Sequence, residues 1–150
     1  MATSLFALFQ NSLEVYSHLC KPVCESAGIL QGELNILLFL ANNPDKATAM
    51  DIHKNGGMKQ SMISTLVERL VSEGYLVREP VPGDRRKVKL VCTEKVDPVV
   101  QAGREVQKQL LEICFEGTSK DDLEAYQRVA SQIAQNILEC REKMLKGELK

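Results

Sequence analysis

Tryptophan is absent, and aromatic residues make up only 5% of the chain. A surface that holds single-stranded nucleic acid by stacking bases on aromatic rings is therefore not expected. No apolar run approaches the ~20 residues that a helix needs to cross a bilayer, so no membrane partner is expected. The opening "MATSLFALFQ" has neither a basic lead nor a small-residue cleavage pattern, which argues against a secretory signal. Histidines are only two, His18 and His53, and no metal-ligand spacing is present. There is no glycine-rich phosphate loop, and no serine or cysteine has an evident base. An enzyme is thus not expected, nor a cofactor. The five cysteines (Cys20, Cys24, Cys92, Cys114 and Cys140) are odd in number and scattered, which suits reduced thiols in the cytoplasm better than a disulfide framework. Cys20 and Cys24 lie one helical turn apart, so a thiol-based redox sensor stands as a rival to plain core packing.

What is present is an uneven charge distribution. The formal net charge is −1 and the pI about 6.1, which speaks against wholesale binding of polyanions but not against a local patch. Residues 46–95 hold ten basic and six acidic side chains, a net of +4 that leaves −5 for the remainder. Four of the ten, Arg85, Arg86, Lys87 and Lys89, fall within five positions directly after Asp84. The pattern is a basic module flanked by acidic helices.

Periodicity supplies the elements. Leu5, Leu8, Phe9, Leu13, Tyr16, Cys20 and Val23 recur at three- and four-residue steps, the mark of a helix with one apolar stripe that runs to a break at Gly28, with Pro22 placed to kink it. "ELNILLFLANN" reads as a short buried helix stopped by Pro44. Thr48-x-x-Asp51 resembles a capping box opening a short helix, and Asn55-Gly56-Gly57 must turn. Met58, Met62, Leu66 and Leu70, with Ile63 and Val67, then predict an inward helical face that ends at Gly74. "YLVREPV" and "KVKLVC" flank "VPGD", a hairpin in which Val88, Leu90 and Cys92 face the core and Lys87, Lys89 and Val91 face water. Asp97-Pro98 predicts a helix start, as does Ser119-x-x-Asp122, whose helix carries a stripe from Leu123 to Cys140.

In order, this is a mainly α chain with a small β-hairpin wing. "SMISTLVERLVSEGYLVREPVPGDRRKVKLVCTE" resembles the core of the MarR family of winged helix-turn-helix regulators, the sharpest part being Leu70…Gly74-Tyr75-Leu76-Val77-Arg78, then Asp84-Arg85-Arg86, then Leu90…Thr93. The resemblance implies a winged helix-turn-helix lobe at 28–97 and dimerisation helices at 1–27 and 98–150. It implies a homodimer on a pseudo-palindromic double-stranded DNA operator, usually as a repressor, with a cleft between the lobes that often takes a small-molecule effector. Thr65 stands where many members carry Arg, and Val96 where Gly commonly follows the Thr of the wing exit. Peroxide-sensing members usually place a reactive cysteine earlier than Cys20 and Cys24, so no sensing chemistry is carried over.

The expected DNA-binding residues are Lys59, Gln60, Ser61, Ser64, Thr65 and Arg69 on the second helix of the helix-turn-helix, and Asp84, Arg85, Arg86 and Lys87 on the wing. Small hydroxyls let a helix sit deep in a major groove, and Gln can pair with adenine. The bland alternative is a solvated amphipathic helix. Asp84 beside two arginines can hold a guanidinium in a fixed direction, as a minor-groove probe requires. The alternative is a soluble turn that discourages edge pairing. A rival from another class is a winged helix whose wing docks an acidic protein.

Overall fold

The structure, a computed structural model, describes residues 2–148, apart from the side chains at positions 2, 3, 5, 56, 85 and 86. Residues up to Leu110 form one compact unit and those from Leu111 another. In the first, α1 (Ala2–Ala27) contains Pro22 and ends where Gly28 adopts φ +67°. A side chain at that left-handed position would be strained, and Gly is what lets the chain reverse there. Beyond the break, α2 (Gln31–Asn42) runs at 91° to α1. Its Leu34, Ile36, Leu37, Leu38 and Leu40 are buried and form the centre of the core.

The expected capping box opens α3 (Ala49–Gly56): Thr48 Oγ1 accepts from Asp51 N at 3.1 Å, and Asp51 Oδ2 accepts from Thr48 N at 3.0 Å. His53 Nδ1 lies 2.7 Å from Met58 O; since a carbonyl only accepts, Nδ1 carries the proton and braces the turn into the next helix. That helix, α4 (Gln60–Ser72), buries Ile63, Leu66, Val67 and Leu70. Met62 departs from the expected inward row and is 51% exposed. Four residues advance a helix ~40° past one full turn, so a four-step row drifts off the core and Ile63 takes the inward place.

The wing is one antiparallel hairpin, β1 (Leu76–Val81) and β2 (Asp84–Cys92), with Leu76 opposite Cys92, Arg78 opposite Leu90 and Val81 opposite Asp84. Pro82 then Gly83, at φ +83°, is the residue order of a type II turn. Leu90 is buried as expected, but Val88 is 43% exposed, because it lies towards the tip, beyond the reach of the core. Leu90 N donates to Ala47 O at 2.7 Å, tying the wing to the segment before α3. At the wing exit, Thr93 Oγ1 donates to Gly74 O at 2.8 Å. A 3₁₀ turn at Glu94–Val96 buries Val96, so the junction that lacks the family's Gly is a tight helical turn leading into α5 (Asp97–Cys114). The helix-start signal at Asp97-Pro98 is thus a continuation of helical backbone rather than a fresh cap.

The second unit holds the end of α5, a turn, and α6 (Lys120–Leu145), where Ser119 Oγ accepts from Asp122 N at 3.2 Å as its motif predicts. No residue of α6 is buried. Cys114 and Cys140, expected on buried stripes, are exposed in the single chain, whereas Cys20 is buried.

Candidate nucleic-acid interface

With Ile63, Leu66, Val67 and Leu70 turned inward, α4 presents Gln60, Ser61, Ser64, Thr65, Glu68 and Ser72 to solvent, together with Met62. Lys59 sits at the N-cap with its side chain exposed. Two of the hydroxyls donate within the helix, Thr65 Oγ1 to Ser61 O at 3.2 Å and Ser72 Oγ to Arg69 O at 2.9 Å. Their lone pairs remain as acceptors, and the face stays low and smooth.

Glu68 is the one acid on this face, and its charge is answered: Arg78 Nη2 donates to Glu68 Oε2 at 2.7 Å. The pair joins α4 to β1 across the fold. Both groups are exposed, so it contributes less to stability than to orientation. Between α4 and the wing lies a groove of about 370 Å³, with Gln60, Ser64, Arg78 and Val88 among its walls. Neither Arg78 nor Val88 was among the expected site residues. Their signal lay in the register of the hairpin, which only the fold supplies.

On the wing, Asp84 Oδ2 lies 3.7 Å from Lys87 Nζ. Lys87 and Lys89 are exposed. The side chains of Arg85 and Arg86 lie outside the described residues, though their backbone belongs to β2. Arg69 is shared between two surroundings. Its guanidinium reaches Gly28 O, Glu73 and the buried Glu33, while the side chain, 41% exposed, also lines a groove on the outer face of α4 with Ser64, Thr65, Glu68 and Ser72. Lys59, Gln60, Ser61, Ser64, Thr65, Lys87 and Lys89 are thus on exposed parts of one helix-plus-hairpin assembly, and Arg69 is half-buried towards the end of α4.

Residues 27–87, which span α2, α3, α4 and the hairpin tip, match the family model described as MarR family. That segment is similar to the MarR family. The HTH-type transcriptional regulator YcgE of Bacillus subtilis (strain 168) is 29% identical over 83 residues, 55% of this chain and 54% of the relative. The chain thus spans about half the length of that curated relative, and 61% of a second, a regulatory protein for the hcr operon of Thauera aromatica. Both are named as transcriptional regulators, not enzymes. Among solved structures, a MarR family regulator from Listeria monocytogenes complexed with 26mer DNA has a TM-score of 0.83 at 11% identity, covering 100% of this chain and 97% of that one. A MarR protein from Peptoclostridium difficile has a TM-score of 0.77 at 17% identity, covering 90% and 87%. At these identities the likeness shows the fold, which here is the winged helix-turn-helix with helical extensions on either side.

Three thiols of this MarR-like chain share a tendency. Burial pushes Cys20, Cys24 and Cys92 above the usual thiol range, which disfavours the reactive thiolate. Burial likewise raises the Tyr16 phenol, beside Cys20. Among the described residues no group of His, Cys, Asp or Glu is placed to hold a metal ion, and no single helix is long and apolar enough to cross a membrane.

Proposed function

We propose that this chain is a cytoplasmic, sequence-specific, double-stranded DNA-binding transcriptional regulator, a repressor that acts as a homodimer on a pseudo-palindromic operator. The observation that carries the reading is the exposed face of α4: small hydroxyls and Gln60, its single acid neutralised by Arg78, with a basic wing beside it. A major groove admits a helix of that profile, and Lys87 and Lys89 would meet phosphates. That a neighbour of the same fold from Listeria monocytogenes is complexed with 26mer DNA supports the DNA-binding reading.

Dimerisation is supported by apolar surface that one chain leaves uncovered. On α1, Phe6, Leu8, Phe9 and Leu13 are at least half exposed. On α6 so are Tyr126, Val129 and Ile137. Apolar patches of this extent mark association sites, and a two-fold axis would place two copies of α4 about one helical turn of DNA apart. A small-molecule effector has a candidate seat in a groove of about 370 Å³ between α1 and the start of α2, with Ser17, His18, Lys21 and Gln31 among its walls.

The test is fluorescence anisotropy with duplex DNA from the protein's own promoter region, across a salt series. Counterion release predicts a steep fall in affinity with salt, since log K drops by about 0.9 per phosphate neutralised. Binding that is absent, or equal for any sequence, would overturn the reading. A wing that docked an acidic protein instead would bind duplex poorly and with a shallow salt dependence.

A further inference from the structure

The C-terminus of α1 is finished by groups from α4 and from the turn that follows it. A helix leaves its last carbonyls without intrahelical partners. Here Ile29 N donates to Cys24 O at 3.0 Å and Gly28 N to Glu25 O at 3.4 Å, the paired bonds of a Schellman turn. The carbonyls of Ala27 and Gly28 are taken by side chains distant in sequence. Tyr75 Oη donates to Ala27 O at 3.1 Å, and Arg69 Nη2 to Gly28 O at 3.2 Å. Arg69 also reaches the first turn of α2: its Nε lies 3.5 Å from Oε1 of Glu33, whose side chain is 1% exposed. The other Glu33 oxygen accepts from Leu30 N at 2.7 Å, while Oε1 has no hydrogen bond among the described residues. A buried carboxylate that lost its cation would be costly. The same Nε donates to Glu73 Oε1 at 3.1 Å, and Lys95 Nζ donates to Glu73 O at 2.7 Å while lying over the Tyr75 ring.

One guanidinium therefore touches the end of α1, the start of α2 and the end of α4. We infer that Arg69 is a positioning residue: it sets the angle of α4 against α1, and through α1 the separation of the two α4 helices in the dimer, rather than binding phosphate. This rests on the DNA-binding reading above. Arg69 is one of three contacts by which the recognition helix and its neighbours hold the α1–α2 corner, with Tyr75 and Glu33 as the others. The corner turns on Gly28, so the ties act on the joint where the arm meets the lobe.

The experiment uses full-length protein and the duplex that wild-type protein selects from a random-sequence pool. Affinity is measured at several salt concentrations, on that duplex and on versions with one base pair added or removed between half-sites. Glu33→Gln keeps the shape and the bond to Leu30 N but removes the charge; Arg69→Met keeps length without the guanidinium. Each is expected to weaken binding about tenfold with the salt slope unchanged, the losses being non-additive in the double variant. Each should also lower the preference for the selected spacing over the shifted ones. A residue that only stabilised the fold would leave that spacing preference intact, and Val106→Ala, a core change away from the corner, is the control that should do so. A phosphate contact would instead reduce the salt slope by about one per half-site in Arg69→Met and leave Glu33→Gln unimpaired; that result overturns the inference. Should Arg69→Met fail to fold, Glu33→Gln and Tyr75→Phe, both near-isosteric, give the same readout. If wild-type protein selects no duplex, the DNA-binding reading fails and takes this inference with it. If it selects one and the variants keep their spacing preference, the inference alone fails.

Discussion

Asp84 stands just ahead of the basic run, 3.7 Å from Lys87 Nζ. Simple Coulomb attraction says that removing an acid from a DNA-facing surface helps binding. If the acid orients its cationic neighbours, its loss leaves them to be ordered on binding, at about 0.5–1.5 kcal/mol per side chain. The expected outcome is weaker operator binding by Asp84→Ala in anisotropy at fixed salt; tighter binding would reduce Asp84 to a turn former. A second residue-scale expectation concerns the thiols. Folding raises the pKa of Cys20, Cys24 and Cys92, mainly by burial. An unfolded thiol ionises near 8.5. Above about that pH the unfolded chain sheds protons that the folded chain keeps, so stability falls as pH rises and is unaffected by these groups below it. The urea midpoint should drop between about pH 7.5 and 9.5 in wild type, and drop less when the three cysteines are replaced by Ala. Equal slopes in the two proteins would count against burial of the thiols. At neutral pH the same burial protects these three thiols, and the exposed Cys114 and Cys140 lie on α5 and α6, outside α4 and the wing, so peroxide should not alter DNA affinity.

At the scale of elements, α3 depends on its first turn. Thr48 and Asp51 exchange bonds at 3.0 and 3.1 Å, so Thr48→Ala should cost about 1 kcal/mol of stability. The thermal midpoint checks it, and an unchanged midpoint would mean that the wing contact from Leu90 N to Ala47 O holds the segment by itself. Caps of this kind were legible in the sequence because they are local: Thr48-x-x-Asp51, Ser119-x-x-Asp122 and Pro82-Gly83 each act within four residues. The inward face of α4 was legible through Ile63, Leu66, Val67 and Leu70, and the wing through the alternation ending at Leu90. What escaped was carried by long-range partners. Glu68 reads as a liability beside phosphate until Arg78, ten residues on, is brought to 2.7 Å. Arg69 reads as one more cation on the basic module until Gly28, 41 residues away in sequence, is found under it. Met62 failed for a different reason: a spacing of four is only approximately one turn. No local rule predicts such contacts, because they depend on where other elements lie.

For the molecule as a whole, the expected outcome of the uncovered apolar stripes on α1 and α6 is an obligate dimer. Light scattering at micromolar concentration and ordinary salt should return twice the 16.7 kDa chain mass; a stable monomer there would overturn the dimer. Because α6 buries nothing within its own chain, its order depends on a second copy, and its thermal midpoint should rise with protein concentration. The same feature bears on how long a copy lasts. A lone chain would offer proteases a 26-residue helix with no residue buried, and cleavage of exposed, locally opened segments tracks the population that is open. Unpaired copies would then be degraded faster than paired ones. Newly made chains would accumulate only once synthesis outruns that loss, so turnover itself would sharpen the threshold at which the regulator takes hold of its sites.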